Sequence, residues 1–314
     1  MSKRFDIIGV GDADMDIQLE VDHFPQHDEK VKARIIGRYP GGIIANFLSA
    51  AALFGSKCGA VVRVGKDYYG DCALSDLKNR GVDISHAVVY PEDETYFCVT
   101  CLDATGEKSM LVCLNNPTQP DPEKVDREYL ANAEFVHMIG TYPEVYLPIA
   151  RDARKYGYRM SIDIEKQNKT MSQEEFRESC SLATIVFPNK GGIDYFTDCG
   201  DDYRSGAETM LSWGTQIVVV TLGSEGVYVK SRDEEFSVPA FRVPVVDTTG
   251  AGDTFNACFL SSYIKGYSLR DCAYLATAAS ARQIQQIGSR TGMITREEAI
   301  GFLNEKGIAL NKQQ

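Results

Sequence analysis

Short apolar runs bounded by glycine alternate along this chain with longer amphipathic stretches. Phe5 to Val10 is a buried-strand run opening into Gly9-Val10-Gly11, and Ile17, Leu19 and Val21 then alternate with polar neighbours. Val31 to Tyr39 predicts a second strand, paired with 17–21 across the polar loop 23–30. Gly41-Gly42-Ile-Ile-Ala-Asn46 opens a helix that runs through Ala50, Leu53 and Phe54 and stops at Gly55. Cys58 to Val64 is the next buried strand, followed by a helix over Cys72 to Asn79. Two β-rich runs, 95–103 and 107–114, meet at the hairpin-like turn Asp103-Ala-Thr-Gly106. From Phe135 onward the pattern predicts strands at 135–139, 159–163, 184–187 and 216–221, with helices at 144–156, near 191–198 and at 201–213. Val243 to Val246 reads as a strand end entering a turn, and helices follow to about Ile264, from Leu269 to about Ile284, and from Arg296 to Leu303. Strands joined by helical crossovers argue for an α/β fold whose largely parallel sheet is covered on both faces. No linker or repeat divides residues 1–314, so one domain is expected. Strands from about 15–38 and 95–114 would form a small sheet outside the main layer.

Charge and composition narrow the function. The net charge of −11 repels phosphodiester backbones, and no Lys/Arg run offsets it, which argues against nucleic-acid binding. No apolar run approaches the ~20 residues that span a bilayer. The N-terminus passes into a strand without a signal-peptide h-region, so a cytoplasmic location is expected. Nine cysteines are scattered, and Cys98 and Cys101 lie in a β-rich run where residues three apart face opposite sides. Reduced thiols follow as the default. Four histidines lack nucleophile or metal-ligand companions, which disfavours Ser-His-Asp and zinc chemistry. A dinucleotide fingerprint at Gly9 fails, because Asp14 stands where its third glycine belongs.

The candidate chemistry concentrates in Asp247-Thr-Thr-Gly-Ala-Gly-Asp253-Thr-Phe. Gly250, Ala251 and Gly252 bring bare backbone to a helix start, where free N–H groups and the helix dipole favour an anion. Asp253 puts a carboxylate beside that cradle. It reads either as an ordinary dipole-favoured Asp or as a general base next to an anion hole. Near the other end, Asp12, Asp14 and Asp16 follow a strand, where acidic side chains face the ligand crevice of an α/β sheet and accept from sugar hydroxyls; they also read as solvated turn formers. Asn46, early in its helix, offers both donor and acceptor.

The nine-residue string ending at Phe255 resembles the C-terminal signature of the ribokinase-like, or PfkB, carbohydrate kinases, and G-G-x-x-A-N at 41–46 resembles their N-terminal signature. The resemblance spans nearly the whole chain. It implies a ribokinase-like three-layer sandwich with a central, mostly parallel sheet and a small β-sheet lid over the acceptor. The implied reaction is ATP-dependent phosphorylation of a hydroxyl on a small carbohydrate, a ketose or sugar acid. Asp253 would be the base and Gly250, Ala251 and Gly252 the anion hole. Asp16, Gly41, Gly42 and Asn46 would bind the sugar, and Asn189, Thr221, Gly223 and Gly226 the nucleotide. From spacing alone, the glycines at 223 and 226 read as a plain hairpin turn. Mg²⁺ is implied with ATP, and Asp247, Thr249 and Gly288 fall where relatives bind a monovalent cation such as K⁺. Relatives also dimerise through the lid, so a homodimer is expected. A nucleoside kinase of the same family, and a homologue that binds sugar or nucleotide without turnover, are the alternatives.

Three departures stand out. Ile43 replaces the lysine usual in ribokinases proper, which lowers ribose as the acceptor. Gln167 replaces an Arg, with Lys166 beside it. Lys190 and Gly192 replace two acidic residues that help organise Mg²⁺ and water, and a cation at 190 would neutralise phosphate directly.

Overall fold

A computed structural model describes residues 3–105, 107–166 and 171–311. Nine strands form one sheet, in the spatial order Glu235–Val238 (β13), Val227–Ser231 (β12), Ile217–Thr221 (β11), Ile185–Pro188 (β10), Arg159–Ile164 (β9), Ala133–Ile139 (β8), Phe5–Asp12 (β1), Cys58–Gly65 (β4) and Val88–Tyr90 (β5). From β11 to β5 every neighbour runs parallel; β12 and β13 add an antiparallel edge. Successive side chains on a strand point to opposite faces. Ile7, Val62, Phe135, Phe187 and Val219 therefore enter one core, and Ile8, Val61, Val136, Val186 and Val218 the other. Both faces are covered, which is why these strands read as unbroken apolar runs rather than as alternation.

The first core lies under helices Ile43–Leu53 (α1), Tyr68–Asn79 (α2), Ala251–Ile264 (α8), Leu269–Gln283 (α9) and Arg296–Glu305 (α10). The second lies under Arg127–Leu130 (α3), Pro143–Tyr156 (α4), Gln173–Leu182 (α5), Lys190–Thr197 (α6) and Tyr203–Ser212 (α7). Among the described residues no helix is long and apolar enough to cross a membrane.

A second sheet takes the order Ala33–Gly41 (β3), Asp14–Val21 (β2), Phe97–Leu102 (β6) and Lys108–Cys113 (β7). Its polarity is inverted. Asp14, Asp16, Gln18, Cys98 and Thr100 are buried, while Ile35, Met110, Leu111 and Val112 are exposed. Asp16 pairs with Cys98 and Gln18 with Thr100 in register, so one row of polar side chains faces inward. Met110 and Val112 pair with Thr100 and Cys98 and so continue this inner face, while Leu111 and Ile35, paired with Val99 and Leu19, lie on the outer one. A polar inner row fits a polar guest.

Several boundaries differ from the sequence expectation. Residues 243–246 form no strand: Pro244 lacks an N–H, Val245 and Val246 are exposed, and the segment is held by Val246 and Asp247 N–H groups donating to the Ile284 carbonyl at 2.8 and 3.2 Å. α2 begins at Tyr68 rather than Cys72, because Asp67 caps it by accepting from Gly70 N–H at 2.7 Å. β5, β12, β13, α3 and α5 carry too short or too mixed a pattern to be read. For α5 a signal existed, since Ser172 and Glu175 form a reciprocal capping box. Gly106, in the expected hairpin turn, and Gln167 lie outside the described residues.

Candidate active site

β1 ends at Asp12, and the chain leaves through β2 and β3 before returning at Gly41-Gly42 to start α1. Asp12 closes that loop by accepting from Ile44 N–H and from the Tyr96 hydroxyl, each at 2.8 Å. Gly42 has φ 94°, and a Cβ there would lie 2.8 Å from the Ala13 backbone. Gly41 faces the carboxylates of Asp14 and Asp16, and a Cβ there would run into both. Neither position admits another residue without displacing the acidic floor. Among these acids Asp14 Oδ1 is buried without a partner, and ligand atoms of Asp14, Asp16 and Cys98 lie within 4.8 Å of one another. Burial holds the carboxyls of Asp12 and Asp14 above the usual carboxylate range and lifts Asp16 to about 6. Cys98, assigned no role from sequence, thus joins this acidic cluster through its fold position. All nine cysteines are free thiols.

Two distant segments meet at Asn46. From the first turn of α1 its Nδ2 donates to Asp253 Oδ2 at 2.8 Å, across 207 residues of chain. Asp253 sits in the first turn of α8, whose cap Gly250 takes φ 73° and carries no capping side chain. The Ser289 carbonyl presses on Gly250, leaving no room for a Cβ. Among the described residues the N–H groups of Gly250 and Gly252 meet no acceptor, whereas Ala251 N–H turns to the Thr248 carbonyl at 3.2 Å. The cradle therefore offers two free donors rather than three. Burial raises Asp253 to about 8; Asn46 and Arg290 pull it down, Glu165 and Asp12 push it up.

A cleft of about 680 Å³ runs up to this cradle. Asn189, Thr221, Gly223 and Gly226 all line it, as do Glu165, Lys166, Ala251 and Gly252, with Phe241, Phe255, Ala281 and Ile284 as an apolar wall. The loop at 221–226 joins antiparallel β11 and β12, so it is a hairpin and a cleft wall at once. A flat apolar slot leading to free helix N–H groups suits a nucleotide whose phosphates point at α8.

The sequence profile of the pfkB family carbohydrate kinases matches residues 5–296. The chain belongs to the PfkB family. An ATP-dependent ribose-1-phosphate kinase of Halopiger xanaduensis is 27% identical over 305 residues, covering 96% of this chain and 98% of the relative. The ribokinase of Bacillus subtilis is 29% identical over 301 residues, covering 94% and 98%. An Arabidopsis thaliana ribokinase complexed with ribose and ATP shares the fold, with a TM-score of 0.85 at 24% identity over 96% of this chain and 99% of that one. This PfkB protein is a kinase, a phosphotransferase acting on a sugar or nucleoside.

Its departures from the family pattern now have a geometry. Lys190 begins α6, lines the cleft and pairs with the exposed Asp201 at 3.1 Å. Gly192 is backed onto the Ile164 carbonyl, where a Cβ would clash, so this PfkB kinase has no space for a glutamate at that position. Asn189 instead caps α6 by accepting from Gly192 N–H at 2.7 Å. Lys166 lines the cleft.

Asp247, Thr249 and Gly288 do come together. The Asp247 carboxylate accepts from Thr249 N–H and hydroxyl at 3.0 and 2.7 Å, Gly288 N–H at 3.0 Å and Gln18 Nε2 at 3.3 Å, with Lys108 at 3.6 Å. Gln283 Nε2 donates to the carbonyls of Gly288 and Thr249 at 2.7 and 3.3 Å. Arg290, Gln283, Lys108 and Tyr96 were invisible as site residues in the sequence. None lies in a recognisable motif, and their importance comes from contacts 34 to 249 residues away.

Proposed function

We propose that this kinase transfers the γ-phosphoryl group of ATP to a hydroxyl of a small uncharged carbohydrate, with Asp253 as general base. The contact between Asn46 and Asp253 carries the reading: it joins the acceptor-side motif to the base at the end of the nucleotide cleft. A hydroxyl resting on Asp16 and Asn46 would give its proton to Asp253 and attack the γ-phosphorus in line, while the free N–H groups of Gly250 and Gly252 receive the phosphoryl oxygens. A ketose suits the acceptor end better than a sugar acid, because Asp12, Asp14 and Asp16 would repel a carboxylate and Lys108 is already paired with Asp247. A nucleoside is the second reading within the family.

Mg²⁺ fits the donor set. Glu165 lines the cleft, and no described residue donates to its carboxylate, leaving a hard oxygen ligand for the ion. When bound, Mg²⁺ would neutralise charge on the phosphates. K⁺ is disfavoured at Asp247, Thr249 and Gly288, since donors of the chain already surround the carboxylate and Gln283 Nε2 bonds both carbonyls, and no step is routed through it. The smaller sheet is read as a lid that excludes water from the phosphoryl group. Exposed Ile35 and Leu111 on its outer face support a homodimer formed through that surface.

The test is ADP release with Mg²⁺ across ketoses, aldoses, sugar acids and nucleosides. Turnover of an uncharged sugar is expected. A preference for sugar acids would remove the assignment of an acid-walled acceptor pocket, and no ADP above the acceptor-free rate would remove the reaction.

A further inference from the structure

Arg290, in the loop between α9 and α10, is only 6% exposed. Each of its three guanidinium nitrogens donates a bond. Nε donates to Asn46 Oδ1 at 2.7 Å, Nη2 to the Gly41 carbonyl at 2.6 Å, and Nη1 to Asp76 of α2 at 2.5 Å. Asp76 also holds Arg80 at 2.9 Å, so it anchors the fork from outside the site. A guanidinium has donors only. The oxygen of the Asn46 amide must therefore face Arg290, and its NH₂ must face the other way. Asp253 Oδ2 lies on that side, 2.8 Å off. An Asn without this restraint could turn either end toward the carboxyl.

The same fork touches the segment where the lid joins the body, since Gly41 ends β3 and precedes α1. Filling the space would need only an apolar side chain. A buried charge is costly unless it is paired and hydrogen-bonded, and here each bond goes to a site residue or to its anchor.

Resting on the kinase reading above, we infer that Arg290 is a positioning residue for phosphoryl transfer: it fixes Asn46 with its amide NH₂ on the base and holds the Gly41 carbonyl at the lid root. Asp253 is otherwise faced by acids, namely Asp163 on β9, Glu165 just after that strand, and Asp12 on β1. Asn46 is its side-chain donor, and Arg290 decides that Asn46 donates. Loss of the fork frees the amide and leaves the base among like charges, which raises its affinity for a proton and lowers the share ready to act.

The experiment follows the Asp253 carboxyl in ¹³C-aspartate-labelled protein, its resonance assigned with Asp253→Asn. Wild type is compared with Arg290→Met, Arg290→Lys, Asn46→Ala, and Asn46→Ala combined with Arg290→Met. The titration midpoint should rise by about one pH unit in Arg290→Met and in Asn46→Ala, and the double variant should add little to either. Arg290→Lys keeps the charge without the fork and should behave as Arg290→Met does. ATP affinity by calorimetry should stay near wild type, because the nucleotide cleft is untouched; should the Met variant fail to fold, the Lys variant carries the comparison. On the acceptor that wild type turns over, kcat should fall by about 10²-fold. Additive midpoints, or Arg290→Lys titrating like wild type, would show that charge alone acts and overturn the inference. A wild-type protein that forms no ADP with any acceptor speaks against the kinase reading, and leaves the titration to decide the role of Arg290.

Discussion

Asp253→Asn separates catalysis from stability, because the two should move in opposite directions. Asn keeps the shape, and its oxygen can still accept from Asn46. It cannot take a proton. Removing a general base lowers kcat by about 10²–10⁴-fold. Stability should rise. The folded carboxyl titrates at about 8 against an ordinary 3.8, chiefly through burial. A raised acid pKa costs nothing below the unfolded value; the cost then grows as pH climbs towards 8 and is constant above it. At pH 7 the difference amounts to at most about 4 kcal/mol. Asp253 keeps part of its surface open to the cleft, and water there reduces the recoverable gain to about 1–2 kcal/mol. The Asn variant should therefore melt a few degrees higher at pH 8, with the gain vanishing near pH 4. Single-turnover phosphoryl transfer and thermal melts at both pH values check the pair of effects. A loss below about threefold with chemistry rate-limiting removes Asp253 as the base. Equal melting gains at pH 4 and 8 would instead refute the buried, proton-holding carboxyl.

In the wild type, kcat/KM should climb with pH along a limb whose midpoint lies near 8, the value of the free base; a profile flat down to pH 6 contradicts it. Turnover in K⁺ should match turnover in tetramethylammonium, and K⁺ should leave the melting temperature unchanged at equal ionic strength. Replacing Gln283 with Ala should create K⁺ dependence by opening the Thr249 and Gly288 carbonyls; a K⁺-activated wild type would sink the closed-site reading. Leu111→Asp with Ile35→Asp should convert a dimer to a monomer in sedimentation, whereas a wild type already monomeric at micromolar concentration removes the lid interface.

Much of this was legible in the sequence, for identifiable reasons. The central strands are buried on both faces, so Ile7-Ile8, Val61-Val62 and Val218-Val219 announce themselves as apolar pairs. The motif residues were legible because local backbone demands fix them: Gly250 must take a positive φ, and Gly41 must yield space to two carboxylates. Val243 to Val246 misled because apolar character normally means burial, and here Val245 and Val246 are solvent-facing. Lys190 reads in the sequence as a phosphate neutraliser; it does line the cleft, and what no pattern shows is that Asp201 stands 3.1 Å from its ammonium. Arg290 and Gln283 could not be read at all. Arg290 depends on the return of the α9–α10 loop to α1, and Gln283 on the Thr249 turn and that loop folding against α9; no periodicity encodes either.

The long reach of these contacts bears on how the enzyme comes into being. Asn46 waits for Asp253 across 207 residues, Gln18 for Asp247 across 229, and Arg290 bonds back to Asn46 across 244. During synthesis, the acidic floor and the strands of the small sheet emerge early; Asp12 and Asp14 find Ile44, Tyr96 and Cys98 nearby, but Gln18, Asn46 and the Gly41 carbonyl wait for α8, α9 and the following loop. Loop closure over such spans is entropically costly and slow to be rewarded. An incomplete chain therefore exposes a half-built polar pocket and apolar edge residues together, the combination that invites aggregation or chaperone capture. Catalytic competence arrives as one of the last events of folding, when the final helices dock on α1.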